Sequence, residues 1–180
     1  MIEDGRAHDR HRRAAAECGV EVTGVNTTPE QVAAVDGWIR ERGLGERLNV
    51  VEGDMRDAFA QFDKVVSIGV LEHAGRDQLR DVIRAHADFL KPGGLAILST
   101  INRTVKARAL AITAAERVLK WIPDGTHDFD KLVKPDELAA AMLPLEAGAP
   151  VGLSFNPLSG MWKLSDDVSM NYFLTVTKPV

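Results

Sequence analysis

The chain has 180 residues, of which 45% are hydrophobic and 27% are charged. A chain of this length and balance can form one globular domain with a core of its own. The formal net charge of -4 argues against a general nucleic-acid-binding protein, because such proteins carry a basic surface. No apolar stretch reaches the roughly 18 residues of a membrane-spanning helix, and residues 1–13 lack the apolar centre of a signal peptide. The single cysteine, Cys18, cannot form an internal disulfide. We therefore expect a cytoplasmic protein.

Short β-branched stretches alternate with longer helical patterns through the first two thirds of the chain. The predicted strands cover 20–25, 48–51, 62–68 and 95–100. The predicted helices cover 29–42 and 78–90. Thr28 is the expected N-cap of the first helix, with Pro29 at its first position and Gly43 as its stop. Residues 91–94 (KPGG) are expected to end the second helix before the strand that follows.

The last third changes character. Helices are predicted at 105–122 and 135–142, and the strands 152–155 and 170–177 are expected to pair in antiparallel fashion. Strands that alternate with helices indicate βαβ units and a parallel sheet. The sequence therefore predicts a single α/β domain over 1–180. We expect a Rossmann-like three-layer α/β/α sandwich with a mostly parallel sheet and an antiparallel C-terminal edge.

Polar and small residues follow the predicted strands at the points where the strands end. In open α/β sheets, ligands bind outside the carboxyl ends of the strands. The residues at these positions resemble class I S-adenosylmethionine-dependent methyltransferases. The segments that carry the resemblance are 22–26 (VTGVN), 53–55 (GDM), 71–73 (LEH) and 90–94 (LKPGG). The resemblance implies a methyltransferase fold and S-adenosylmethionine as the cofactor.

The two parts of the chain resemble different branches of this family. Segments 99–103 (STINR), 122–128 (IPDGTHD), 134–138 (KPDEL), 155–158 (FNPL) and 168–172 (VSMNY) are similar to ubiquinone-biosynthesis O-methyltransferases. That similarity implies methylation of a hydroxyl on a polyprenylated catechol or quinol. Segment 24–32 (GVNTTPEQV) is similar to cyclopropane fatty-acid synthases, which leaves methylene transfer to lipid acyl chains as an alternative. A non-catalytic protein that keeps the scaffold is a second alternative.

The family's first strand and its glycine-rich loop are expected before Val20. Residues 1–16 contain one glycine, Gly5, and no β-branched stretch. In the family, that loop lets the cofactor approach the backbone beside a helix N-terminus. Residues 1–19 are therefore an atypical N-terminus, from which the first strand is expected to be missing.

The resemblance implies a set of cofactor-binding residues at the strand ends. These are Gly24, Asn26, Asp54, Met55, Ile68 and Gly69. Asp54 would accept a hydrogen bond from the adenine amino group, and Met55 would lie against the ring. An ordinary solvated turn is the alternative for Asp54. Asn26 stands where the family usually carries a carboxylate for the ribose, which implies weaker ribose binding.

Glu72, His73 and His127 are the candidate catalytic residues. In related quinone methyltransferases, two glutamates and a histidine near Glu72 can hold a divalent cation. Gly69 replaces the first glutamate, so no metal is expected. The alternative to a catalytic role for Glu72 and His73 is that they only supply charge at a helix N-terminus, where it interacts favourably with the helix dipole. His127 would remove the acceptor's proton, with Asp128 orienting it; a surface histidine is the alternative.

Residues 104–147 form an insertion that is expected to face the substrate or the membrane. The stretch 105–122 interleaves cationic side chains with an apolar side that includes Trp121. This combination is typical of an interfacial helix on anionic lipid, which would make the protein peripheral on the inner membrane. A helix packed on the protein's own core is the alternative.

Overall fold

The computed structural model describes residues 19–57, 60–74, 76–109, 128–156 and 160–180. Two compact units, Met1–Asp57 and Ala58–Val180, divide the chain. The candidate residue His127, most of the predicted helix 105–122 and the atypical residues 1–18 lie outside the described residues. The predicted single domain over 1–180 stays a prediction.

The first unit is a strand–helix–strand arrangement. It consists of β1 (Val22–Asn26), α1 (Pro29–Glu41) and β2 (Leu48–Glu52). β1 and β2 pair in parallel, from Val22 opposite Leu48 to Asn26 opposite Glu52. Ile39 of α1 and Leu48 of β2 are buried, and apolar residues from all three elements pack against them. Both strands therefore end at the same edge of this small sheet.

Glycine ends α1 as the sequence predicts. Gly43 has a φ of +63°, a backbone conformation that favours glycine. The Gly43 N–H donates to the Arg40 carbonyl at 3.1 Å, and the Leu44 N–H donates to the Ile39 carbonyl at 3.1 Å. This pair of hydrogen bonds is a Schellman motif, which satisfies the last carbonyls of the helix. At the other end Thr28 is the N-cap residue and Pro29 follows it.

The second unit is built on a six-stranded sheet with the order β3-β4-β8-β6-β7, and β5 also pairs with β8. These strands are β3 (Phe62–Ile68), β4 (Leu90–Ile101), β5 (Glu146–Ala147), β6 (Val151–Asn156), β7 (Met161–Ser165) and β8 (Asn171–Thr177). β3 and β4 are parallel, whereas the pairs that involve β6 and β8 are antiparallel. The predicted α/β class and antiparallel C-terminal edge are confirmed. The two-stranded sheet β1–β2 is parallel, and the six-stranded sheet is mixed, with its parallel pair at β3–β4.

One face of this sheet forms the core of the second unit. Leu98 and Thr100 of β4 and Tyr172 and Leu174 of β8 alternate with more exposed neighbours and are almost completely buried. The helices of the unit are α2 (Arg76–Asp88), α3 (Val105–Ala107) and α4 (Pro135–Ala141), with 3₁₀ turns at Leu71–His73 and Phe129–Lys131. Leu138 of α4 is fully buried. Among the described residues, no helix is long and apolar enough to cross a membrane.

The strand predicted at 95–100 begins earlier, at Leu90, and includes residues 91–94. β4 begins at Leu90, which stands opposite Phe62, whereas Leu95 stands opposite Lys64. The extra residues form an irregularity within the strand. A Cβ added to Gly94 would lie 2.8 Å from the Lys91 carbonyl oxygen, so a tight backbone path explains this glycine. Residues 91–94 have no opposite residue in the pairing of β4 with β3 or with β8. Hydrogen bonds between the Lys178 backbone and the backbones of Gly93 and Gly94 hold this segment beside the end of β8.

The predicted antiparallel pairing of β6 with β8 is confirmed, but it is short. Val151 stands opposite Phe173, and Gly152 stands opposite Tyr172. β6 pairs over more of its length with β7, a strand that the sequence analysis missed. Most side chains of β7 are exposed, including the apolar side chains of Met161, Trp162 and Leu164, so burial does not mark this strand.

Candidate functional site

Asn26 is held at the end of β1 by its own turn. Its side-chain carbonyl accepts a hydrogen bond from the Thr28 N–H at 2.8 Å. Its amide nitrogen donates to the Gln31 side chain at 2.7 Å. The Gly53 N–H, which follows β2, donates to the Asn26 backbone carbonyl at 3.0 Å. The Asn26 side chain is therefore fixed in direction, and its oxygen retains one lone pair for a further donor.

Gly24 of β1 is not explained by crowding within the protein. A Cβ at this position would lie 3.9 Å from its nearest neighbours, the Asn49 carbonyl oxygen and a Val50 methyl, which is an ordinary contact. The absence of a side chain at Gly24 leaves backbone open on the strand that ends at Asn26. The approach of a ligand to the backbone at Gly24 stays a prediction.

Asp54 is clamped by Arg56 in the turn after β2. One carboxylate oxygen accepts from the Arg56 backbone N–H at 2.8 Å and from the Arg56 Nε at 2.9 Å. The other oxygen accepts from the guanidinium Nη2. These hydrogen bonds, above all those from the Arg56 side chain, lower the pKa of Asp54 to about 2. Asp54 is thus ionised at neutral pH, and Met55 lies half-buried in the same turn.

Ile68 and Gly69 lie at the end of β3 in the second unit. Ile68 is partly exposed, and Gly69 has a φ of +71°. The Gly69 N–H donates to the Ser99 carbonyl of β4 at 3.2 Å. A Cβ added to Gly69 would lie 3.6 Å from Oε1 of Glu72. The end of β3 therefore lies next to the Glu72 carboxylate, with no side chain at Gly69 between them.

Glu72 and His73 are adjacent in sequence but differ in their surroundings. Both belong to the 3₁₀ turn Leu71–His73, in which Glu72 is only 6% exposed and His73 is exposed. Oε2 of Glu72 accepts a hydrogen bond from the buried Thr100 hydroxyl at 2.8 Å. A buried carboxylate that bonds to a strand side chain differs from the solvated charge that a helix dipole would favour.

Thr100 belongs to a row of buried polar groups near the end of β4. It stands opposite Tyr172, whose hydroxyl donates to the Val133 carbonyl at 3.0 Å. Burial raises the pKa of Tyr172, and the nearby charges of Glu137 and Glu72 add to the increase. The Asn102 amide nitrogen donates to the Val168 carbonyl at 2.9 Å. Thr100, Asn102 and Tyr172 lie in segments that carry the family resemblance, but the sequence predicts no role for them.

The start and the end of the predicted 104–147 insertion are tied to the second unit by charged side chains. Arg103 forms an ion pair with Glu137 of α4. Lys106 of α3 donates to Asp167 at 2.6 Å and to the Ser169 hydroxyl at 2.8 Å. These contacts fix the base of the insertion.

Asp128, the expected partner of His127, caps its own turn. Its carboxylate accepts from the Asp130 N–H at 3.0 Å at the start of the turn Phe129–Lys131. The role of His127 stays a prediction. Within the described ranges, no group of three or more His, Cys, Asp or Glu side chains could hold a metal ion.

Comparison with known proteins identifies the family. The family model of mycolic acid cyclopropane synthetase matches residues 9–130. A ubiquinone biosynthesis O-methyltransferase of Caulobacter sp. (strain K31) is 40% identical over 167 residues, which cover 91% of this chain. The chain spans 66% of the length of that relative.

Two solved structures share the fold. A magnesium protoporphyrin IX methyltransferase from Synechocystis PCC 6803 with bound SAH has a TM-score of 0.63 and 16% identity, covering 91% of this chain and 66% of that one. An O-methyltransferase family protein from Burkholderia thailandensis has a TM-score of 0.65 and 16% identity, covering 97% of this chain and 48% of that one. The fold expected from the sequence is confirmed. The chain belongs to the S-adenosylmethionine-dependent methyltransferases, in the family that the cyclopropane synthetase model describes.

Proposed function

We propose that the chain is an O-methyltransferase that acts on a hydroxyl of a polyprenylated catechol or quinol in ubiquinone biosynthesis. The observation that carries this proposal is the 40% identity with a ubiquinone biosynthesis O-methyltransferase over 91% of the chain. The geometry of the described strand ends supports it. They carry ionised and buried acceptor groups of the kinds that a cofactor site and a proton-accepting site need.

The residues of the first unit fit the adenosyl part of S-adenosylmethionine. Gly24 leaves the backbone open, and Asn26 retains an acceptor lone pair for a ribose hydroxyl. Asp54 is ionised, and a carboxylate has about four acceptor positions, of which Arg56 uses three. One position remains for an amino group, and Met55 offers an apolar side chain beside it. When bound, S-adenosylmethionine supplies an electrophilic methyl group.

The residues of the second unit offer a proton acceptor. Methylation of a hydroxyl needs a base that removes its proton as the oxygen reacts. Glu72 presents a carboxylate held by Thr100, beside the open end of β3 formed by Ile68 and Gly69. We assign Glu72 to the acceptor side of the reaction. His73, which is exposed in the same turn, and His127 are further candidates for the base.

Methylene transfer to lipid acyl chains is the second candidate function, because the cyclopropane synthetase model matches residues 9–130. The two functions differ in their acceptor, a phenolic oxygen or a carbon–carbon double bond. Incubation with S-adenosylmethionine and either a short-chain polyprenyl catechol or unsaturated phospholipid separates them. The proposal predicts a methylated ether from the catechol and no change in the lipid. Product from the lipid alone would overturn it.

Peripheral membrane contact through 105–122 is part of the same proposal. A polyprenylated acceptor lies in a lipid bilayer, and the described start of this stretch has Val105 83% exposed. Lys106 and Arg108 are cationic residues of the same stretch, and Lys106 also pairs with Asp167. Sedimentation with anionic vesicles, compared with neutral vesicles of the same size, tests this contact. Equal sedimentation with both would contradict a role for the cationic residues.

A further inference from the structure

Within the described residues, Glu72 is the carboxylate that lies buried, and its position needs a physical reason. A carboxylate removed from water is costly unless hydrogen bonds or opposite charges compensate. The hydrogen bond shown for Glu72 comes from a neutral hydroxyl, that of Thr100, at 2.8 Å. Both side chains are almost fully buried, at 6% and 2% exposure. This bond joins the turn after β3 to the end of β4.

We propose that Thr100 is a positioning residue that orients the Glu72 carboxylate for the methyl-transfer reaction. The inference rests on the proposed function. By donating to Oε2, Thr100 fixes the plane of the carboxylate and leaves Oε1 toward Gly69, 3.6 Å from the position of an added Cβ. When a substrate hydroxyl binds beside the end of β3, Oε1 of Glu72 is then already oriented to accept its proton.

Two features limit the freedom of the Thr100 side chain. Threonine has a branched Cβ and therefore few accessible rotamers in a strand. On β8, Tyr172 stands opposite Thr100 and is itself fixed by its hydrogen bond to the Val133 carbonyl. The side chain opposite Thr100 is therefore fixed by a hydrogen bond of its own, and the branched Cβ limits the rotamers of Thr100 itself.

The same sheet face offers a matched control. Ser67 of β3 stands opposite Leu98, two residues before Thr100, so its side chain lies on the same buried face. The Ser67 hydroxyl has no hydrogen-bond partner among the described residues. Ser67→Ala therefore removes a buried hydroxyl without removing a bond to Glu72.

The test compares Thr100→Val, Thr100→Ser and Ser67→Ala in the methyl-transfer assay with a polyprenyl catechol. Valine keeps the branched shape but loses the donor, whereas serine keeps the donor. We expect Thr100→Val to lower kcat about tenfold or more with little change in KM for either substrate. Thr100→Ser and Ser67→Ala should stay within about threefold of wild type. If valine prevents folding, Thr100→Cys replaces it, because a thiol is a weak donor, and its kcat should fall below that of serine.

A second measurement reports on the contact without catalysis. In protein labelled with ¹³C-glutamate, the Glu72 carboxyl resonance is identified by its loss in Glu72→Gln. It should shift in Thr100→Val and return in Thr100→Ser. A wild-type chain without methyltransferase activity would refute the proposed function. An active wild type with an equally active Thr100→Val, or a kcat loss that serine does not restore, would refute the role of Thr100.

Discussion

Gly152 of β6 lies against the backbone of Asp167 so closely that no side chain can fit between them. A Cβ at Gly152 would lie 2.0 Å from the Asp167 carbonyl oxygen and 2.6 Å from its carbonyl carbon. The side chain of Asp167 also accepts a hydrogen bond from Lys106, at the start of the insertion. The contact therefore joins the C-terminal edge of the sheet to the segment that begins the insertion.

Gly152→Ala should destabilise the second unit, because the atoms it would meet belong to the backbone and cannot rotate away. We expect a loss of about 1–3 kcal/mol or more in the free energy of unfolding. Denaturant unfolding followed by circular dichroism measures it. Gly45→Ala is the control, since an added Cβ at Gly45 meets nothing within 4 Å. Equal stability of the two variants would show that β6 and Asp167 are not packed as described.

Arg56 should control the pKa of Asp54. The Arg56 side chain is the largest cause of the lowered pKa, about 2 against a usual 3.8. Arg56→Gln should raise this pKa toward 3.8, as measured by NMR titration of the Asp54 carboxyl. Arg40→Gln, which breaks an exposed pair with Asp36 in α1, should leave the Asp54 titration unchanged. An unchanged pKa in Arg56→Gln would mean that the clamp does not form.

Stability should fall in mild acid because of His86. Burial lowers the pKa of His86 below its usual 6.5, so the folded protein resists a proton that the unfolded chain accepts. Above about pH 6.5, His86 therefore does not make the free energy of unfolding depend on pH. This free energy declines as the pH falls from there to the lowered pKa, by at most about 1.4 kcal/mol per pH unit.

His86→Leu removes this pH dependence and also the ring nitrogen Nε2, which has no hydrogen-bond partner among the described residues. The free energy of unfolding, measured by denaturant from pH 8 to pH 5, should fall less in the variant than in wild type. The difference at pH 8, where the histidine is neutral in both states, reports the packing cost of the substitution and serves as the control. Parallel curves would mean that His86 accepts a proton freely in the folded protein.

Local features of the fold were predictable from sequence, and contacts between distant residues were not. The ends of α1 were predictable because they depend on the local backbone conformation of the residues found there, which are Thr28, Pro29 and Gly43. The bond between Thr100 and Glu72 joins residues 28 positions apart and depends on the register of neighbouring strands. The hydrophobic periodicity of a sequence does not indicate which residues of two neighbouring strands lie opposite each other.

The sequence predicts the C-terminal ends of the first four strands to within one residue, but it does not predict the side-chain contacts made there. Asp54 was predicted as an acceptor, whereas the clamp by Arg56 requires a tight turn that folds the guanidinium back onto it. Gly94 was interpreted as part of a break between elements. It lies inside β4, where the backbone path leaves no room for a side chain and its carbonyl accepts from the Lys178 N–H at 2.9 Å.

Binding of S-adenosylhomocysteine to the 180-residue chain tests the central claim most directly. Calorimetric titration should show affinity in the micromolar range, and Asp54→Ala should abolish it because the ionised acceptor at the end of β2 is lost. Asp36→Ala, which removes another arginine-paired carboxylate from the same unit, should bind like wild type. Failure of the folded chain to bind, or equal binding by Asp54→Ala, would contradict the assignment of these strand ends to the cofactor.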